Sequence, residues 1–206
     1  MQKRMFRDRY GLTDLVLSGQ KTQTRDVIKI QDERLDYLRG WNLDYEFAEF
    51  GRAGEAPLRV CSKYYVGEVV AVAQSYQKAY PNADFEMVDK WTFMTESAGW
   101  KNKMFVRPDL MPHAIKITKI RFEKLQDISD KDCLAEGVKR ASLGFYVEGI
   151  KVRNWETESH RETASGCLKL FPYPKEAFAA LIDKINGKGT WESNPYVFVY
   201  DFELNK

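Results

Sequence analysis

The sequence predicts one α+β domain that spans residues 1–206. Apolar side chains in residues 174–186 recur at the helical spacing i, i+3, i+4, i+7. Residues 196–204 alternate their side chains as a β-strand does. No repeat, low-complexity tract or sharp change of composition divides the chain. We therefore expect helices and strands to share one core.

The composition is typical of a soluble globular protein without a strong overall charge. Hydrophobic residues make up 44% of the chain, charged residues 30%, and the formal net charge is +2. This charge gives no general attraction to nucleic acid, so such binding would need a local basic patch. The sequence shows neither a signal peptide nor a run of about 18 apolar residues. We expect a cytoplasmic protein with no membrane partner.

Cysteine and histidine residues are few and widely spaced. Cys61, Cys133 and Cys167 form no CxxC pair, and His113 and His160 are the only histidines. This spacing favours buried free thiols in a reducing compartment over disulfides or a zinc site. We expect neither a metal ion nor another cofactor.

A polar stretch near the N-terminus lies between two apolar segments. Leu12, Leu15 and Val16 have helical spacing, and Gly19 falls where a helix end favours a left-handed residue. Residues 27–28 then begin an apolar strand. The nine residues from 18 to 26 therefore cross from helix to strand, where side chains can face a ligand. A solvated, positively charged connector is the alternative interpretation.

Strand alternation divides the side chains of this crossing into two sets. In a regular strand, Lys21, Gln23 and Arg25 would share one face. Thr22 and Thr24 would lie on the other. Lys21 and Thr24 can therefore converge only if the first residues of the crossing still curve as a turn.

Three segments are interpreted as insertions, at about residues 30–60, 77–104 and 141–170. The first is irregular and rich in acidic residues and glycine, the second is polar and aromatic, and the third carries glycines and scattered charge. Four apolar side chains are expected to attach the first insertion to the core: Tyr37, Leu38, Trp41 and Phe47.

Two strands are predicted between the insertions. Residues 69–73 form a Val/Ala run that follows a glycine turn and predicts a buried strand. In the second strand, regular alternation would place Ile115 and Ile117 on one face and Ile120 and Phe122 on the other. A strand cannot bury both pairs on one face without a β-bulge. Such a shift is expected where a strand turns the corner of a small barrel.

Basic residues are concentrated on and around the second of these strands. The group is Lys101, Lys103, Arg107, Lys116, Lys119, Arg121 and Lys124, with Lys116 and Lys119 at its centre. The acidic residues in this region are only Asp109 and Glu123. This is the strongest basic patch in the chain. It can be a surface that follows a phosphate backbone or a solvated strand face.

A short helix after this strand places a carboxylate in an unusual position. Ser129 is a suitable N-cap, and Gly137 ends the helix. Glu136 therefore lies at the helix C-terminus, where the macrodipole disfavours a negative charge. A residue that breaks a local rule is a candidate functional residue. An exposed glutamate with no role is the alternative.

Four stretches, taken in order, resemble the ASCH family, whose fold is a PUA-like β-barrel with flanking helices. They are Gly19-Gln20-Lys21-Thr22-Gln23-Thr24-Arg25; Val66-Gly67-Glu68-Val69-Val70; residues 107–137, which include Met111-Pro112 and Ala135-Glu136-Gly137; and residues 186–204. Their spacing resembles the longer bacterial and phage members. The sequence departs from the family pattern in two places: Ala73-Gln74 replaces a frequent Arg-Glu, and Asp26 replaces a frequent second arginine.

The resemblance implies a cleft that binds RNA or a modified nucleotide beside the motif at residues 19–25. Its ligand-binding residues would be Thr22, Gln23, Arg25, Lys116 and Lys119. Some small family members are amidohydrolases that remove acetyl from the exocyclic amine of acetylcytidine. Their proposed catalytic Lys, Thr and Glu match Lys21, Thr24 and Glu136.

The side-chain chemistry leaves both functions open. Binding needs only cations, hydroxyls and stacking surfaces. Hydrolysis needs Thr24 as nucleophile and Lys21 as its base or orienting group, with the pKa of Lys21 well below its usual value. Burial and Arg25 would lower that pKa, whereas Glu136 would raise it. A purely structural or protein-interaction role is the third possibility.

Overall fold

The computed structural model describes residues 1–30, 32–42, 46–82, 95–151 and 168–205. In chain order these contain β1 (Gln2–Arg4), α1 (Leu12–Leu17), β2 (Gln23–Val27), β3 (Leu38–Asn42), β4 (Phe47–Phe50), β5 (Leu58–Cys61), β6 (Val69–Val72), α2 (Tyr76–Ala79), β7 (Ala114–Lys124), α3 (Asp130–Ala135), β8 (Lys139–Ala141), β9 (Gly144–Tyr146), α4 (Pro174–Asn186), α5 (Thr190–Ser193) and β10 (Tyr196–Asn205). Short 3-10 turns lie at Asp8–Tyr10, Glu33–Asp36, Lys103–Phe105, Pro108–Leu110 and Leu125–Asp127. The predicted α+β class is confirmed.

The main sheet has five strands in the order β1-β6-β7-β10-β2. β1 runs parallel to β6, and the other neighbours are antiparallel. The middle of β10 is buried on both faces, with Val199 and Tyr200 both at 0% exposure, and its end emerges at Glu203. Within the described residues, no backbone pairing joins β1 to β2. The sheet is therefore open at this seam, and the described strands do not form a closed barrel.

The predicted bulge in the long strand is confirmed. Asp201 of β10 lies opposite Lys119, but the next residue, Phe202, lies opposite Ile117. Thr118 is thus the extra residue on β7. The shift allows Ile117 and Ile120 both to be buried, which strict alternation would prevent.

Residues 30–60 are more regular than the sequence predicts. β3, β4 and β5 form a second, antiparallel sheet in which Phe50 has 0% exposure. Trp41 stacks on Phe122 of β7 with 5.6 Å between ring centroids, as expected for an attachment point. The interpretation of Tyr37 and Leu38 as such points was wrong, because both are exposed.

The other two predicted insertions are described only in part, because residues 83–94 and 152–167 lie outside the described residues. In the second, Trp100 belongs to a small cluster with Tyr76. In the third, β8 and β9 form a hairpin, and Phe145 of β9 pairs with Phe171.

The described cysteines are both free thiols, but only one is buried. Cys133 is buried in α3, and Cys61 at the end of β5 is exposed. The expectation of buried thiols is therefore wrong for Cys61, and Cys167 and His160 lie outside the described residues.

α4 buries the apolar side chains that its sequence pattern predicts. Phe178, Leu181 and Ile182 are 1%, 2% and 4% exposed, and Ile185 packs against the same core. Pro174 supplies the first residue, where a missing N–H has no cost, and the helix ends before Gly187. The helix thereby places an apolar surface beside the seam between β1 and β2.

Candidate functional site

The motif at residues 19–25 begins as a turn and becomes a strand only at Gln23. Gly19 has φ +72°, and the N–H groups of Gln20 and Lys21 both donate to the carbonyl of Leu15. The N–H of Thr22 then donates to the carbonyl of Ala135, the last residue of α3. These bonds bring the motif against the end of α3.

The Lys21 amine is enclosed in the protein. Its side chain is 2% exposed, and Nζ donates to the carbonyls of Gln23 and Glu136, each at 2.7 Å, and to Glu136 Oε2 at 2.6 Å. These three acceptors use all three hydrogens of an ammonium group. Burial lowers the pKa of Lys21, Glu136 opposes this shift, and Arg4 and Arg25 add to it.

Glu136 is tolerated at the end of α3 because two cations neutralise it. Its Oε2 accepts from Lys21, and its Oε1 accepts from Arg25 Nη1 at 3.0 Å. The carboxylate side chain is only 6% exposed. The electrostatic cost of placing a negative charge at a helix C-terminus is thus offset locally.

Arg25 is held by more carboxylates than the sequence indicates. Its side chain is fully buried, and Nη2 lies 2.7 Å from Glu123 Oε1 and 3.4 Å from Asp132 Oδ2. Gln23 accepts from Nη1, and the guanidinium lies 5.8 Å from the ring centroid of Phe178. Among the described residues Arg25 Nε has no hydrogen-bond partner.

Thr24 and Asp26 contact a different partner, Arg4 of β1. Arg4 Nη2 donates to Thr24 Oγ1 at 3.1 Å, and Arg4 makes two bonds to the Asp26 carboxylate, at 2.6 and 2.5 Å. These side chains bridge the open seam between β1 and β2. Within the described part of the chain, no direct hydrogen bond joins the Lys21 amine to the Thr24 hydroxyl.

One pocket contains all three predicted catalytic residues. It has a volume of about 520 Å³ and lies at the seam. We call Lys21, Thr24, Arg25 and Glu136 the pocket floor. We call the facing side chains of α4 the apolar wall: Phe178, Leu181, Ile182 and Ile185.

The other predicted ligand-binding residues do not line this pocket. Gln23 is buried and donates to Asp132 at 3.2 Å and Asp201 at 2.6 Å, so it supports Arg25 rather than a ligand. Thr22 belongs to the motif, but its side chain is exposed outside the pocket. Lys116 and Lys119 are exposed on β7. They pair across the sheet with Glu203 and Asp201, which reduces the positive potential of that strand.

Arg4 is the main site residue that the sequence pattern did not indicate. β1 has only three residues and no distinct pattern. The one available signal was Asp26, an acid in a basic motif, which finds its partner in Arg4.

No protein-family model, curated protein or solved structure matches this chain. Within the described residues, no group of His, Cys, Asp and Glu is arranged to hold a metal ion. The same residues include no helix with the length and apolar character needed to cross a membrane. The interpretation of the site therefore depends on its own geometry.

Proposed function

We propose that this chain binds a nucleotide unit, free or within RNA, in the pocket beside residues 19–25. The observation that carries the proposal is the joining of a buried polar floor and an apolar wall in one pocket of about 520 Å³. This volume is within the range of about 300–1,000 Å³ that is usual for small-molecule sites. A nucleobase offers apolar faces to the wall and hydrogen-bonding edges to the floor.

The proposal includes an ASCH-type, PUA-like fold with an open seam. Its support is the convergence of the resembling stretches: the motif, the end of α3 and β10 meet through backbone hydrogen bonds. Thr22 N donates to Ala135, and Phe202 N donates to Thr22. A bulged β7 beside β10 also fits a strongly curved sheet.

The floor favours binding over catalysis. A threonine nucleophile needs a base within hydrogen-bond reach, but the Lys21 amine is bonded to Gln23 and Glu136. Thr24 Oγ1 accepts a hydrogen bond from Arg4, and a guanidinium is a donor that cannot take the hydroxyl proton. Binding requires no such proton transfer.

One observation keeps an amidohydrolase acting on acetylcytidine-type nucleosides as a second candidate. Lys21, Thr24 and Glu136 line the same pocket, and burial lowers the pKa of Lys21, which is the direction that a general base needs. In this alternative, Lys21 loses its proton and turns from Glu136 to accept the proton of Thr24. Thr24 Oγ1 then attacks the acetyl carbonyl, the amine leaves with a proton, and water releases acetate.

The test follows binding and acetate release in the same samples. Purified protein is mixed with acetylcytidine, ribonucleosides, their monophosphates or single-stranded RNA. Thr24→Val removes a hydroxyl from the floor, and Thr22→Val is a matched control because Thr22 is exposed outside the pocket. We expect binding without acetate release, with a small loss of affinity in Thr24→Val and none in Thr22→Val.

Acetate release by the wild type and by Thr22→Val, but not by Thr24→Val, would establish the amidohydrolase instead. If no ligand binds and no acetate forms, both functions are wrong.

A further inference from the structure

The basic side chains that line the pocket differ in whether they already have an anionic partner. Most are paired: Arg4 with Asp26, Lys21 and Arg25 with Glu136, and Lys103 with Asp8. A phosphate at the floor would lie beside the carboxylates of Asp26 and Glu136 and be repelled by them. The floor is therefore a poor place for the anionic part of a ligand.

Among the described residues, Arg7 and Arg9 are the remaining cations that line the pocket. Both line the pocket and are exposed, and neither side chain has a hydrogen bond or ion pair within the described residues. We call these two residues the basic rim. The intervening Asp8 does not neutralise it, because Asp8 Oδ1 accepts from Thr13 and lies 2.7 Å from Lys103 Nζ. Asp8 Oδ2 lies 3.6 Å from Lys78.

The backbone that carries the basic rim is closely packed against its neighbours. Phe6 and Tyr10, on either side of the rim, are 3% and 6% exposed. Lys103 Nζ donates to the carbonyl of Phe6, and a Cβ at Gly149 would lie 2.2 Å from the carbonyl oxygen of Arg9. The two arginine side chains thus extend into solvent from a closely packed backbone, which limits the backbone entropy that is lost when they bind a ligand.

We propose that the basic rim is a phosphate subsite and that the ligand of this pocket is a phosphorylated nucleoside. This inference rests on the proposed nucleotide-binding function and adds the position of the phosphate. The base lies between the floor and the apolar wall. The phosphate lies at Arg7 and Arg9, away from the carboxylates of Asp26 and Glu136. The guanidinium group suits this role because its N–H donors can bind two phosphate oxygens at once.

The test compares ligands that differ only in the phosphate. Dissociation constants of the four ribonucleosides and their 5′- and 3′-monophosphates are measured by calorimetry, for the wild type and for Arg7→Gln with Arg9→Gln. Arg140→Gln is the control, because Arg140 is an exposed arginine that does not line this pocket. Thermal unfolding checks that each variant is folded. The double variant Arg7→Lys with Arg9→Lys keeps both positive charges but removes the guanidinium groups.

The wild type is expected to bind at least one monophosphate about tenfold more tightly than its nucleoside, the effect of one charge-assisted hydrogen bond. The glutamine pair should lose this preference and keep the nucleoside affinity, whereas Arg140→Gln should match the wild type. The lysine pair should keep a reduced preference that weakens with salt. Comparing the 5′ and 3′ series shows which phosphate position reaches the rim.

Two results would overturn the phosphate subsite while leaving the proposed function intact. One is equal affinity of the wild type for nucleosides and monophosphates. The other is a phosphate preference that persists in the glutamine pair. If no nucleoside, monophosphate or short RNA binds to the wild type, the proposed function itself is wrong, and this inference fails with it.

Discussion

Replacing Lys21 with methionine tests whether the pocket floor is a coupled buried network. Methionine keeps an apolar stem and removes the amine. The carboxylate of Glu136 then keeps only Arg25 as a cationic partner, and the carbonyls of Gln23 and Glu136 lose a donor. The two side chains of the ion pair are 2% and 6% exposed, so water cannot readily replace the amine. Breaking a buried pair in this way costs about 3–5 kcal/mol of unfolding free energy.

A matched control is the half-exposed pair between Lys139 and Glu148. It joins the same two residue types at 2.9 Å, but its side chains are 29% and 46% exposed. Lys139→Met should therefore cost less than about 1 kcal/mol. The measurement is urea unfolding followed by circular dichroism, in which a change of midpoint at constant m reports stability.

The double variant Lys21→Met with Glu136→Gln shows whether the two residues act together. Lys21→Met takes one of the two cationic partners from the buried Glu136 carboxylate. Glu136→Gln then removes the negative charge of that carboxylate. The combined loss should be smaller than the sum of the single losses by about 1–3 kcal/mol. Equal costs for Lys21→Met and Lys139→Met, or strictly additive losses, would refute the buried network.

Three further predictions follow from the packing, the basic strand and the buried amine. Phe178→Ala should cost about 3–5 kcal/mol in the same unfolding assay, whereas Tyr173→Ala, at a position 65% exposed, should be nearly neutral. Lys116→Glu with Lys119→Glu should weaken single-stranded RNA binding and its salt dependence but leave mononucleotide affinity unchanged, because neither residue lines the pocket; unchanged RNA affinity would assign them to a solvated face. Because burial lowers the pKa of Lys21 below its reference value of 10.5, the unfolded chain binds more protons just below that pH. The stability of the wild type relative to Lys21→Met should therefore rise as pH approaches 10.5, and a fall over this range would contradict the shift.

Elements with strong local patterns could be predicted from the sequence. The apolar stripe of α4 and the alternation of β10 identify these elements because each is long enough to show its period. The parity change between Ile117 and Ile120 also identified the bulge. β4 was missed because it has four residues and only half of its side chains are buried. Its sheet is stabilised by contacts with distant residues, such as Trp41 with Phe122.

The candidate site was predictable where a residue broke a local rule. Glu136 at a helix end indicated a missing cation, and the structure supplies Lys21 and Arg25. The direction of the Lys21 pKa shift depends on how burial and several charges balance in space, which no spacing along the chain reveals. The sequence did not reveal that the Thr24 hydroxyl accepts a hydrogen bond from Arg4.

Both faces of β2 carry charged side chains that bind specific partners, so the length of the turn before β2 is important. Arg25 reaches Glu136 from one face of the strand, and Asp26 reaches Arg4 from the other. An insertion or deletion between Gly19 and Gln23 that shifted β2 by one residue against β10 would exchange the two faces, so that an arginine met Arg4 and an acid met Glu136. Both networks would then join like charges. The exposed side chains of Gln20 and Thr22 can therefore vary more freely than the number of residues that connects α1 to β2.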